Sequence, residues 1–152
     1  MAHPSPLALD VLKCDDECTA LARCIFGEAR GFPPTDDPAV AWTVVNRKNT
    51  PRRYGRTIQA VCGQRSQYSC FDDGSHLPAV LHPERAEPNA WRQAQTVAAA
   101  VLAGRIADPT GGATHYVAKW LYDSPKCPKW AKGKDVVAQV IGTHVFLKGR
   151  SL

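Results

Sequence analysis

The stretch that most restricts how this chain can fold is Leu21-Ala-Arg-Cys-Ile-Phe-Gly-Glu-Ala-Arg-Gly31. Read at helical spacing, Cys18, Leu21, Ile25 and Glu28 fall on one face. Three of them are apolar and point at a core. The fourth is a carboxylate in the last turn before Gly31, a helix stop. A glutamate that continues a buried stripe loses hydration, and that raises its pKa. A carboxylic acid still protonated near neutral pH is what a glycosidase uses to protonate a departing glycosidic oxygen. The plainer alternative is that Glu28 turns to solvent or pairs with Arg30 or another base, since structural ion pairs also perturb carboxylates.

Around this helix the chain reads as one domain of 152 residues, long enough for a single sizeable core. Residues 1–13 are Pro-rich and then mildly apolar, and read as an N-terminal arm that packs late or frays. Asp15 and Asp16 can cap the first helix, which runs to about Ala29. After a Pro-rich loop, Asp37 as N-cap and Pro38 at the first position start a helix over 38–48, apolar almost all round. Arg47, Lys48, Arg52, Arg53 and Arg56 then form a basic, turn-rich segment, open to two readings: a solvated loop or a contact for an acidic partner.

Thr57 caps a short turn over 58–62, and 77–87 is irregular, with prolines at 78 and 83. A third helix covers about 88–103, its stripe Trp91, Ala94, Ala98, Val101 and Leu102, and Gly104 ends it. Gly111-Gly112 is a turn before a short strand at Thr114–Val117, and 120–130 reads as a loop. Residues 136–147 read as a closing β-hairpin. The fold class is therefore α+β, helix-dominated, with a small antiparallel sheet.

Several of these pieces occur in one order. Gly27-Glu-Ala-Arg-Gly31 is followed by Ala39-Val-Ala41 with Val44-Val-Asn-Arg47, and then by Gln67-Tyr-Ser-Cys70. Asp108-Pro-Thr-Gly-Gly-Ala-Thr-His-Tyr116 and Ile141-Gly-Thr-His-Val-Phe146 complete the series. Together they resemble the SleB/CwlJ-like cell-wall hydrolases, the family of spore cortex-lytic enzymes and related phage lysins, over about Leu21 to Leu147. One departure is Phe32, where the family often carries a second glutamate.

The resemblance implies a lysozyme-like fold and a peptidoglycan glycosidase, a lytic transglycosylase or muramidase, acting between MurNAc and GlcNAc. It implies a single glutamate, Glu28, as general acid and base. The muramic acid's own N-acetyl group or 6-hydroxyl can serve as internal nucleophile. Gln67, Tyr68, Ser69, Thr114, His115 and Tyr116 would line the substrate groove, although Tyr68 and Tyr116 read equally as core aromatics and His115 as a core histidine. His144 has no assigned role. A second carboxylate, if one is used, could be Glu84, Glu87, Asp72, Asp73 or Asp108.

Other classes fit less well. The five histidines and six cysteines would be raw material for a zinc amidase, but no H-E-x-x-H or comparable spacing occurs, so no metal or other cofactor is expected. The cysteines read mostly as structural thiols, with disulfides formed after export as the alternative. A net charge of +5 and a pI near 9.0 favour a polyanion. Nucleic acid is a weaker candidate than an acidic envelope, because the basic residues sit in a Pro/Gly loop without a reader motif. No apolar run is long enough to cross a bilayer, and no signal peptide is visible. The expectation is a monomeric phage or prophage endolysin, held in the cytoplasm of its host until a separate protein opens the membrane.

Overall fold

A computed structural model describes residues 3–65 and 67–152. Met1, Ala2 and Ser66 lie outside the described residues, the last of them inside the polar segment 64–70. The chain forms a helical body closed by a three-stranded antiparallel sheet.

Helix α1 (Pro6–Cys14) replaces the expected fraying arm. The Ser5 side chain accepts from the Leu7 amide, Pro6 occupies the first turn, and Ala8 and Leu12, four apart, are buried. Its start is tied down as well, by the Ser5 amide donating to the Phe71 carbonyl at 2.8 Å.

Helix α2 (Glu17–Ala29) is the axis of the body. Its N-cap Asp16 accepts from the Thr19 amide at 2.7 Å. Leu21 and Ile25 are fully buried, as the stripe predicts. Helix α3 (Asp36–Lys48) begins two residues earlier than expected. Asp36 and Asp37 are therefore first-turn residues, where a negative charge meets the positive end of the helix dipole, rather than a cap. Short helix α4 (Pro51–Tyr54) packs against α3, α5 (Ile58–Cys62) and α6 (Leu77–Leu81) pack against α2, and α7 (Pro83–Ala86) packs against α6, so the segment 77–87 is more regular than its prolines suggest. A 3-10 turn at Ser69–Phe71 also lies against α2. Helix α8 (Pro88–Leu102) packs against α2 more extensively than any other element. Its buried Ala94 and Ala98 permit that close approach.

Strand β1 (His115–Ala118) leads into helix α9 (Lys119–Tyr122) and a second 3-10 turn (Lys129–Lys132), where the sequence suggests only loop. Strands β2 (Val137–Ile141) and β3 (His144–Lys148) form the hairpin, and the sheet order β1-β3-β2 puts β3 in the centre. Tyr116 pairs with Phe146 and Ala118 with His144. Both faces of β3 are covered: Phe146 joins the main core, while Val145 and Leu147 form a smaller cluster with Val117, Ala131 and Leu152. Tyr116 lies beside Phe146, the strand residue that joins the helical core, and this brings it to α2.

The hairpin is pinned to α3 through a fully buried carboxylate. Asp36 Oδ2 accepts from Thr143 Oγ1 at 3.1 Å and lies 3.2 Å from His144 Nδ1. Gly142, in the turn with φ +57, has no room for a side chain, since a Cβ there would lie 1.9 Å from Asp36 Oδ1. His144 thus has a structural role that its sequence position does not disclose.

Candidate active site

Glu28 sits in the last turn of α2, half-buried, at the bottom of an open cleft of about 260 Å³. Arg47, Gln67, Tyr68, Ser69, His115, Tyr116 and Trp130 line the rest. Burial is the main influence on the Glu28 carboxyl and raises its pKa above the ordinary value. The Tyr116 hydroxyl, which donates to Oε1 at 2.9 Å, the Cys70 backbone amide and the charge of His76 partly oppose that rise, while Asp72 adds to it.

The glycine before this acid has a steric reason. A Cβ at Gly27 would lie 2.6 Å from both Cβ and Sγ of Cys70. Without one, the 3-10 turn at Ser69–Phe71 lies close against α2, which brings the Cys70 amide to Glu28. Behind it Cys24, Cys62 and Cys70 are buried as free thiols, close enough to influence one another's proton affinity. Burial pushes Cys70 up to about 11, so these thiols are protonated and behave as small hydrophobes.

Arg47 organises the opposite wall. It is buried near the end of α3, with its guanidinium 5.1 Å from the Tyr54 ring and 5.0 Å from the Tyr68 ring. Its Nε donates to the Thr114 carbonyl at 2.6 Å and its NH1 to Gln67 Oε1. One cation therefore ties segment 67–69 to segment 114–116, each of which contributes residues to the lining. Burial, and then the charges of Arg47 and Arg53, lower His115 to about 4, so its ring is neutral at physiological pH. Thr114 Oγ1 lies 2.9 Å from His115 Nδ1.

Of the residues singled out in the sequence, Glu28, Gln67, Tyr68, Ser69, His115 and Tyr116 meet at this cleft. Thr114 does not line it and instead holds Arg47 and His115 in place. Tyr68 is almost wholly buried, its hydroxyl 3.2 Å from Thr43 Oγ1, so core packing accounts for most of its surface. The supposed basic loop also divides: Arg47 is inside, Lys48 pairs with Glu17, and Arg53 donates to the carbonyls of Arg150 and Ser151.

The candidate second carboxylates lie elsewhere. Glu87 pairs with Arg30 at 2.6 Å, Glu84 is exposed beside Arg85, Asp73 is exposed, and Asp108 is enclosed in its own loop. Asp72 acts on Glu28 through charge but is not part of the lining. Arg30 stacks on Phe26 at 4.5 Å and does not pair with Glu28. Among the described residues, Glu28 is the one carboxylate lining the cleft, and no group of three or more His, Cys, Asp or Glu side chains is arranged to hold a metal ion. No helix there is long and apolar enough to cross a membrane.

The family model for Cell Wall Hydrolase matches residues 33–147, most of the chain. The chain belongs to that family. The matched span includes Arg47, Gln67 and His115 but begins after Glu28. The chain is also 26% identical over 138 residues to a spore cortex-lytic enzyme of Halalkalibacterium halodurans, covering 87% of this chain and 34% of the relative. It therefore spans about a third of that relative's length. Among solved structures, the catalytic domain of the germination-specific lytic transglycosylase SleB from Bacillus anthracis superposes with a TM-score of 0.63 at 23% identity, over 87% of this chain and 93% of that one. The helix-dominated fold of this cell wall hydrolase, with its small sheet, is the fold of that domain.

Two lining residues escape a reading of the sequence. Arg47 falls in a run of basic residues, yet Val40, Val44 and Arg47 are spaced four and three apart and continue one buried helical face, a signal that was available. Trp130 stands in a segment with no periodicity, and nothing local marks it.

Proposed function

We propose that this cell wall hydrolase cleaves the glycan backbone of peptidoglycan between MurNAc and GlcNAc, with Glu28 as its general acid and then its general base. The observation that carries this is a half-buried carboxyl, its pKa raised by burial, that opens onto a cleft otherwise lined by neutral polar groups, aromatic rings and one occupied arginine. Because Tyr116 donates to Oε1, the proton of the acid form resides on Oε2. In the first step that proton passes to the glycosidic oxygen as the bond from the anomeric carbon breaks. The carboxylate so formed then takes a proton from the nucleophile that closes the reaction. That nucleophile is the muramic acid's 6-hydroxyl in an anhydro-forming cleavage, or a water in hydrolysis. A single carboxylate is enough in either case: the 6-hydroxyl is itself the internal nucleophile of the first, and in the second the N-acetyl oxygen bonds to the anomeric carbon as the leaving group departs and is then displaced by the water. The net charge of +5 supports work against an acidic envelope, as an endolysin would do after release from its host's cytoplasm.

Mass spectrometry of fragments released from purified peptidoglycan tests the reading. A 1,6-anhydro end or a new reducing sugar end is the expected product, and Glu28→Gln should release neither. Release of free peptide amines with intact glycan strands would overturn it in favour of an amidase.

A further inference from the structure

The cleft over Glu28 does not stop at Trp130. A second hollow of about 250 Å³, lined by Gln67, His115, Trp130, Ser151 and Leu152, shares Gln67, His115 and Trp130 with the first. We propose that the two form one groove, and that Trp130 is the platform on which an uncut sugar of the glycan strand stacks beside the sugar being cleaved. This rests on the glycan reading above and extends it to a binding subsite.

Three observations carry it. First, Trp130 is 44% exposed although it borders both hollows, and its ring contact is with His115, at 5.4 Å and tilted by 59°. An indole left open along a groove is a flat, uncharged apolar surface with a polar edge, which suits a pyranose whose C–H face is apolar and whose rim carries hydroxyls.

Second, the site is built and held. Ala131, next to Trp130, is buried in the small sheet-side cluster. The far wall is fixed by Arg53, which donates to the Arg150 and Ser151 carbonyls at 3.1 and 3.3 Å. It is fixed again by Asp135, which accepts from the Ser151 amide and hydroxyl at 2.8 and 2.6 Å.

Third, the lining selects a neutral, hydrogen-bonding ligand. Among the described residues, none of its lining side chains is a carboxylate or a thiol. His115 is uncharged, and the Arg47 guanidinium behind it is engaged by Thr114 and Gln67. Gln67 gives its carbonyl to Arg47, so the group it can turn to a ligand is its NH₂, a donor matched to a hydroxyl or an N-acetyl oxygen.

Trp120 supplies a control. It is more exposed, at 73%, but borders neither hollow. The test uses Glu28→Gln, which leaves the strand uncut, and calorimetric titration with peptidoglycan di-, tetra- and hexasaccharides. In that background Trp130→Ala and Trp130→Leu should weaken the tetra- and hexasaccharide by about tenfold and leave the disaccharide little changed. Trp130→Phe, which keeps a ring, should stay within about threefold, and Trp120→Ala should match its parent. Leucine keeps bulk without a flat ring, so it separates stacking from simple filling, and a thermal melt confirms that each variant is folded. Unchanged affinity for every length in folded Trp130→Leu would overturn the platform alone. Glu28→Gln that binds no fragment of any length would overturn the glycan reading, and the platform with it.

Discussion

Glu28 and Asp108 are both carboxylates partly withdrawn from water, and they end with opposite proton affinities. Burial raises each of them. At Asp108 that rise is overcome. Oδ1 accepts from the Thr110 amide at 2.8 Å and its hydroxyl at 2.6 Å, while Oδ2 accepts from Asn46 Nδ2 and the Gly112 amide, both at 2.9 Å. Four donors hold the charged form, and its pKa falls below the ordinary value. At Glu28 one hydrogen bond, from the Tyr116 hydroxyl, and the nearby Cys70 amide do not offset burial, and the pKa stays raised. Depth alone thus does not decide whether a carboxyl here favours its acid or its charged form. The number of donors aimed at the oxygens does.

The sharpest way to break this contrast is to remove each carboxyl in turn. Glu28→Gln keeps the shape and deletes the proton, so wall clearing measured by turbidity should fall by about 10²–10⁴-fold while the circular dichroism spectrum and cooperative melting persist. Clearing at near the original rate would remove Glu28 from the chemistry. Asp108→Ala should act in the reverse sense. It strands four donors, and its cost is about 3 kcal/mol, a fall in Tm of roughly 6–12 °C for a chain of this size. Activity measured well below that Tm should survive in proportion to folded protein. A stable, inactive Asp108→Ala would make Asp108 a second chemical group and end the distinction.

Tyr116 sharpens the comparison from within the site. Its hydroxyl is one of the donors that hold the Glu28 pKa down. Tyr116→Phe should reduce the rate by about tenfold, the cost of one hydrogen bond to a group that becomes charged. A general acid works only while protonated, so activity falls as pH rises through its pKa. Loss of the Tyr116 donor raises that pKa further, and the alkaline limb of the pH–rate profile should move to higher pH. A limb that stays in place, or moves down, would show that Tyr116 does not act through Glu28.

How far these features can be read without coordinates depends on the range of the interactions that make them. Glu28 is legible because helical spacing is local: Leu21 and Ile25 predict which way it points. The helices over 17–29, 38–48 and 88–102 and the closing hairpin are legible for the same reason, as is the likeness of the ordered motifs to cell-wall hydrolases. Helix α1 also has a local signal, the capped start formed by Ser5 and Pro6, but the Pro-rich context disguises it. The Asp36–His144 contact joins residues 108 apart, and the Arg47 bridge spans from α3 to 67 and 114. No window of sequence contains either pair. Asp108 is intermediate: its motif announces a turn, but whether its carboxylate faces substrate or its own loop depends on Asn46, far away in the chain.

The smallest expected effect follows from the same two carboxyls through their linkage to folding. A raised folded-state pKa means that Glu28 contributes stability fully present below its unfolded value, near 4.5, and lost as pH rises through the folded value. A lowered one means that Asp108 contributes stability present above about 3.8 and lost as pH falls through its folded value. Glu28→Gln should therefore melt above the parent at about pH 8, with the advantage vanishing by about pH 4, while the deficit of Asp108→Ala should be largest near neutrality and narrow in acid. Asp37 adds a background of the Glu28 kind: burial raises it to about 6, against the Gln93 side chain that donates to it at 3.1 Å. It is unaltered in both variants, so it cancels in the difference between each variant and the parent at a given pH, and the two difference curves should slope in opposite directions. Parallel curves would mean that the folded protein holds both carboxyls in one kind of environment, and the contrast between an acid and an anchor would fail.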